Sequence, residues 1–286
     1  MYYLGPDSNL LSRGWLSATL LATVAFIGAS GCSSDSSSSG KLVLTGSSTI
    51  APLVAEIARR FEAANPGVRI DVQTGGSSRG IADTASGSAD IGMASRALTA
   101  DESAQLNQHL IAVDGVAVLL HASNPVKSLT RADLVAIYTG TTDNWKAFGG
   151  EDRPIAVIHR ADGRSEVSLL SKYLGVPASS IQADLIVGEN QHALKSCAAS
   201  EECIVYMSLG AAKLGAEAGV AVRMIPVDGI APTIAAVQQR EFPIVRPLNL
   251  LTKGEPKGLA ADFLKYAVSA EVNDLVEAQG YVALER

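Results

Sequence analysis

The sequence predicts an α/β chain of two lobes, each a mainly parallel sheet flanked by helices, and three observations predict it. From Lys41 onward, short β-rich runs alternate with longer runs of helical periodicity, the pattern of parallel sheets whose strands are joined through helices. Two apolar runs, Ile111 to Leu120 and Phe242 to Leu251, are placed to cross from one lobe to the other and back. With 286 residues, 47% of them hydrophobic and 18% charged, the chain has enough apolar material for two separate cores. The expected organisation is a leader over 1–31, a tether over 32–40, a first lobe from 41–121 and 243–286, and a second lobe over 122–242.

The amino end reads as an export signal. Arg13 precedes an apolar stretch from Trp15 to Ile27, short for a membrane-spanning helix, and the small residues Gly28, Ala29, Ser30 and Gly31 lead into Cys32. This looks like a lipoprotein signal in which Cys32 carries lipid, although Ala29 stands where a leucine is usual. The alternative is an ordinary cleaved secretory leader, and both place the chain in the cell envelope or outside the cell. The serine-rich segment after Cys32 has nothing to bury and reads as flexible coil.

The folded part opens with a strand at Leu42–Thr45 and a helix from Ala51 to Asn65, closed by Asn65-Pro66-Gly67. Val68–Val72 is the next strand, 79–86 a helix and Ile91–Met93 a third strand. The crossover strand Ile111–Leu120 ends near Asn124-Pro125. The second lobe repeats the grammar with a helix at Arg131–Tyr138, a strand at Ile155–Ile158, a helix at Ser165–Tyr173, and strands at Ile204–Met207 and Val222–Ile225. After the return crossing, helices over Gly258–Ser269 and Glu271–Gln279 finish the first lobe.

Three small-residue loops fall between a predicted strand and a predicted helix, where parallel α/β sheets hold ligands. They are Thr45-Gly46-Ser47-Ser48-Thr49-Ile50, Thr74-Gly75-Gly76-Ser77-Ser78-Arg79-Gly80 and Arg160-Ala161-Asp162-Gly163-Arg164-Ser165-Glu166. Each offers hydroxyls and backbone N–H groups at a helix amino end, where unpaired donors and the helix dipole favour an anion. A single such loop is more often a helix cap. Three loops together with Arg96, Arg160 and Arg164 make a cage for a tetrahedral oxyanion, because guanidinium groups give bidentate, charge-assisted bonds. At least one of these arginines is expected to form an ordinary surface ion pair instead.

Thr45-Gly46-Ser47-Ser48-Thr49, Gly75-Gly76-Ser77-Ser78-Arg79-Gly80, the run Ala89-Asp90-Ile91-Gly92-Met93-Ala94-Ser95-Arg96 and Arg246-Pro247-Leu248-Asn249-Leu250 resemble the substrate-binding lipoproteins of phosphate-specific ABC transporters. The resemblance implies a type II periplasmic-binding-protein-like fold that closes on inorganic phosphate and presents it to an ABC permease, with no cofactor and as a monomer. Carried over by position, the ligands are Ser48 and Thr49 with the backbone of Ile50, Ser77, Arg96 and the Arg160 loop with Arg164 and Ser165; the donor loops add Ser47 and Ser78 as candidates, and Asn190 is a further candidate donor from the second lobe. Two positions depart from the family pattern. Arg96 stands where well-studied members have an acid, and Glu166 ends the third loop where they have threonine. Three roles are open to Glu166: accepting the proton that phosphate, unlike sulfate, still carries; neutralising Arg164 or Arg160; or favouring a helix amino end.

Charge and cysteines narrow the remaining classes. The net charge of −6 survives removal of the leader, which takes one Asp and one Arg, and it argues against a nucleic-acid partner. Cys197 and Cys203 read as a short-loop disulfide in an oxidising compartment, with buried free thiols as the alternative, and the scattered histidines offer no zinc-like spacing. Three rival functions stand: a binder of sulfate, molybdate or tungstate, an oxyanion sensor, and a serine hydrolase using Ser77 or Ser78 in the G-x-S-x-G pattern, for which His192 would have to serve.

Overall fold

The computed structural model describes residues 40–285, so the predicted leader, Cys32 and most of the tether lie outside the described residues. The described residues fall within one compact unit. No helix among them is long and apolar enough to cross a membrane.

Nine strands form one continuous curled sheet. Its first half contains β1 (Gly40–Gly46), β2 (Val68–Thr74), β3 (Ile91–Ala94) and β9 (Val245–Thr252), with β1 parallel to β2 and β3, and β9 antiparallel to β3. The second half contains β5 (Ala156–Arg160), β6 (Leu185–Val187), β7 (Cys203–Ser208) and β8 (Val222–Met224), where β5 runs parallel to both β6 and β7. One long strand, β4 (Asn107–His121), belongs to both halves. Its beginning pairs antiparallel with β9, and its end pairs antiparallel with β7 and β8.

Two apolar cores match the two halves. One contains Leu44, Leu53, Ile57, Ile91, Ile111, Leu250 and Phe263. The other contains Leu119, Leu134, Tyr138, Trp145, Leu170, Val205 and Tyr206. The cores change over between Ala112 and Val116 on β4, and between Ile244 and Leu248 at β9. These two strands are the covalent connections of the two-lobed architecture.

The helices are α1 (Ala51–Ala64), α2 (Ser77–Ser86), α3 (Ala100–Ser103), α4 (Arg131–Tyr138), α5 (Ser165–Leu174), α6 (Asn190–Ala198), α7 (Leu209–Glu217), α8 (Ile234–Gln238), α9 (Gly258–Ala267) and α10 (Asn273–Ala278). Pro52 favours the first turn of α1, where its missing N–H is no loss. Thr99 and Thr130 start α3 and α4 as capping boxes with Glu102 and Asp133. Gly87 ends α2 in the left-handed conformation.

Several elements differ from expectation. Helix α2 begins at Ser77, not at residue 79, and β4 begins four residues early at Asn107. The segment α3 and the run β6, α6, α7 and α8 had no predicted counterpart. Cys197, in α6, and Cys203, opening β7, are joined by a disulfide.

Candidate functional site

The site is assembled where strand ends and helix starts of both halves meet. Strand β1 ends at Gly46, whose backbone lies so close to Met93 and Gly80 that a Cβ would sit 2.2 Å from the Met93 carbonyl oxygen. That approach packs the start of α2 against the end of β1. Gly76, at φ 94°, turns the second loop toward the third, and the Ser78 N–H donates to the Gly163 carbonyl across the two halves.

Four serines and a threonine converge there, all buried. Ser95 Oγ lies 2.8 Å from Ser47 Oγ, 3.2 Å from Ser77 Oγ and 2.8 Å from Ser165 Oγ. Thr49 Oγ1 accepts from Asn190 Nδ2 at 3.2 Å and donates to Glu166 Oε1 at 3.3 Å. The Thr49 carbonyl accepts from Tyr281 at 2.7 Å, fixing the loop. Hydroxyls from the first half therefore meet Ser165, Glu166 and Asn190 from the second.

At the centre is Arg246, fully buried. It faces Asp114 across the β4–β9 register, and this cross-strand position makes the ion pair, with Nε and Nη2 at 3.0 and 2.9 Å from Oδ2. Its Nη1 reaches Glu166 Oε1 at 2.9 Å and Ser165 Oγ at 2.8 Å, while Nη2 reaches Thr49 Oγ1 at 3.0 Å. Burial opposes the charge on Glu166, but Arg246 and then Arg160 outweigh it and hold its pKa at about 2. Burial opposes the Arg246 charge as well, yet Glu166 and Asp114 raise its pKa. For Asp114 burial wins: its pKa is raised in spite of Arg246.

Arg160 is also fully buried and donates to the Gly188 and Glu189 carbonyls at 2.6 and 3.3 Å, leaving Nε without a hydrogen-bond partner. Asn190 Oδ1 is likewise buried and unpaired. Burial lowers the Arg160 pKa, with Glu166 acting the other way. His159 beside it bonds the Tyr206 hydroxyl at 2.7 Å, and burial lowers its pKa.

The structure brings together Ser47, Thr49, Ser77, Ser165, Glu166 and Asn190 from the predicted set, with Arg160 alongside. Ile50 is buried at the start of α1, its N–H turned toward Ser47 Oγ at 3.4 Å. Ser48 and Arg164 lie at the margin, where Arg164 donates to Ser48 at 3.4 Å and pairs with Glu189 at 2.9 Å. Two residues depart from the expectation. Ser78 is exposed, because Ser77 takes the inward position of the first turn of α2. Arg96 is committed elsewhere, its guanidinium held by both oxygens of Glu102 at 2.7 and 2.8 Å. The partner of Glu166 also differs: its ion pair is with Arg246, and not with Arg164 or Arg160.

Ser95, Asp114 and Arg246 are the residues that sequence reasoning missed as site members. Ser95 and Arg246 stand inside motifs that carried the family resemblance, and that was the available signal. For the hydrolase pattern, Ser77 Oγ accepts from the Ser95 N–H at 3.1 Å and lies 3.2 Å from Ser95 Oγ, and among the described residues no hydrogen bond joins Ser77 or Ser78 to a histidine.

The family model of the PBP superfamily domain matches residues 33–271. Phosphate-binding protein PstS of Bacillus subtilis is 31% identical over 253 residues, covering 85% of this chain and 81% of the relative. PstS of Borreliella burgdorferi is 27% identical over 250 residues, covering 84% and 88%. Among solved structures, a Clostridium perfringens protein described as a phosphate ABC transporter substrate-binding protein with bound phosphate superposes with a TM-score of 0.80 at 30% identity, covering 86% of this chain and all of that one. The match in fold thus extends over the whole of the Clostridium perfringens chain. The chain belongs to the PBP superfamily and, within it, to the family of phosphate-binding proteins PstS.

Proposed function

We propose that this protein is an extracytoplasmic solute-binding lipoprotein that captures inorganic phosphate between its lobes and delivers it to an ABC permease. The observation that carries this reading is the buried junction of Ser47, Thr49, Ser77, Ser95 and Ser165 around Arg246, beside Arg160. Such a junction offers a tetrahedral oxyanion hydroxyl donors from both lobes and cations in a medium of low dielectric, where charge-assisted bonds are strong. The relatives named phosphate-binding proteins, and the related structure holding phosphate, support the choice of ligand.

The assigned ligand groups are Ser47, Ser48, Thr49 and the Ile50 N–H from the first loop, Ser77 from the second, and Arg160, Ser165 and Asn190 from the second lobe. Arg160 Nε supports the assignment, because an unpaired buried donor costs about 1–3 kcal/mol and an oxyanion beside it removes that cost. Binding is a hinge closure about β4 and β9, driven by the ligand's greater affinity for the closed lobes. No covalent step is involved. Cys32 carries the membrane anchor, the tether spaces the monomeric domain from the membrane, and the permease recognises the closed form.

The test is calorimetric titration of the chain from Gly40 onward with phosphate, sulfate and molybdate, after unfolding and refolding to strip any carried ligand. Phosphate binding is expected, weakened roughly hundredfold in Arg160→Ala, about 2.7 kcal/mol. Binding of sulfate or molybdate alone would keep the architecture and replace the substrate. Absence of binding to any of the three would return the sensor and hydrolase readings.

A further inference from the structure

Two of the groups assigned to the oxyanion, together with Arg246, already surround an anion that belongs to the protein. Glu166 is 2% exposed and bears its carboxylate at the amino end of α5. Arg246 Nη1 donates to its Oε1 at 2.9 Å, Thr49 Oγ1 to the same oxygen at 3.3 Å, and Ser165 Oγ to Oε2 at 3.4 Å. Both carboxylate oxygens thus receive donors of the kinds that the site offers a ligand, and one of those donors comes from the opposite lobe.

Other contacts across the junction have the same character. Thr49 is bonded to Asn190, Ser95 to Ser165, and Arg246, carried by a connecting strand, reaches both lobes at once. A carboxylate is a two-oxygen fragment of a tetrahedral oxyanion. Placed on α5 and held by Thr49 on the other lobe, it makes the bridge that a bound oxyanion would make in the closed protein.

We propose that Glu166 is a resident stand-in for the oxyanion, helping to hold the lobes together before ligand arrives and setting affinity by competing with the ligand for Arg246, Thr49 and Ser165. The competition part of this proposal rests on the phosphate reading; the lobe-holding part does not. In the ligand-free closed form Glu166 occupies the donors, so that form competes with the ligand, and removing the stand-in destabilises it and tightens binding. This role differs in sign from that of a proton acceptor, whose loss would weaken phosphate binding. It also differs from a helix-end charge, whose loss would leave affinity unchanged.

Two measurements on the chain from Gly40 onward, stripped of ligand by refolding, test the proposal. Small-angle scattering without ligand is expected to give a wild type more compact than Glu166→Gln. Addition of phosphate is expected to contract both chains, and the variant by more. Calorimetry is expected to give phosphate binding about tenfold tighter in Glu166→Gln than in wild type. Glu166→Thr, which keeps a hydroxyl at the helix start, serves as a second variant with the same expected signs if the glutamine chain does not refold. Unchanged or weakened phosphate affinity in the variant, or wild-type scattering that contracts on phosphate as much as the variant's, would overturn the proposal. No heat from phosphate in any of the chains, with the scattering difference present, would locate the failure in the choice of ligand and leave the lobe-holding role standing.

Discussion

Two arginine centres in this molecule have nearly the same bond lengths and quite different consequences. Arg96 meets Glu102 at 2.7 Å across six residues of sequence, with both side chains partly in solvent, and the pair secures the start of the short helix α3. Arg246 meets Asp114 and Glu166 at 2.9 Å across 132 and 80 residues, with at most 3% of any of the three side chains exposed. Distance alone does not separate a fastening from a functional centre. Solvent access does, because a buried charge that loses its partner cannot turn to water instead.

The difference is largest when each arginine is removed. Arg246→Ala leaves Asp114 and Glu166 buried without their cation, and chemical denaturation is expected to register a loss of ~3–5 kcal/mol. A loss near that of an exposed pair would mean that water enters the junction and that the contrast with Arg96 is smaller than burial implies.

Acid sharpens the comparison next. The folded pKa of Glu166 is about 2 against an ordinary 4.5, a lowering, so its stabilising contribution is complete above about 4.5 and is lost as pH falls toward 2. The melting temperature of the wild type is therefore expected to exceed that of Glu166→Gln at neutral pH, with the gap narrowing below pH 4.5. Asp114 is common to both chains, so its opposite shift leaves the sign of the difference unchanged. A gap independent of pH would attribute the stabilisation to packing of the side chain instead of its charge.

The smallest effect belongs to Arg96. Arg96→Ala is expected to cost about 1 kcal/mol or less in denaturation and to leave phosphate affinity within a factor of two by calorimetry. A large loss of affinity would return Arg96 to the ligand set and make the two centres functionally alike.

These contrasts also explain which parts could be read ahead of the structure. Strand β1, helix α1 and the glycine-serine loops were legible because period-2 and period-3.6 patterns, Pro52 and the Asn65-Pro66-Gly67 stop are local signals. The early start of α2 at Ser77 escaped because serine is a better cap than interior residue by propensity, and here tertiary contacts with Ser95 hold it inside the first turn. Strand β6 escaped because it has three residues and keeps Leu185 and Ile186 exposed, so it carries no alternation to detect. Arg160 was found as the first residue of a glycine-containing loop. Arg246 was passed over as a site member, since its motif marked the family and its partners Asp114 and Glu166 lie 132 and 80 residues away.

Order along the chain was enough to settle the α/β class, the two crossings and the three donor loops, because each depends on residues within a turn or two of one another. Which arginine enters the junction depended on the β4–β9 register, which sets Arg246 against Asp114, and on the meeting of the two lobes, which sets Glu166 against Thr49. Those pairings are long-range and geometric: a shift of one residue in the register would turn Arg246 to the opposite face of the sheet. Only the folded chain selects the face, and with it the charge at the centre of the site.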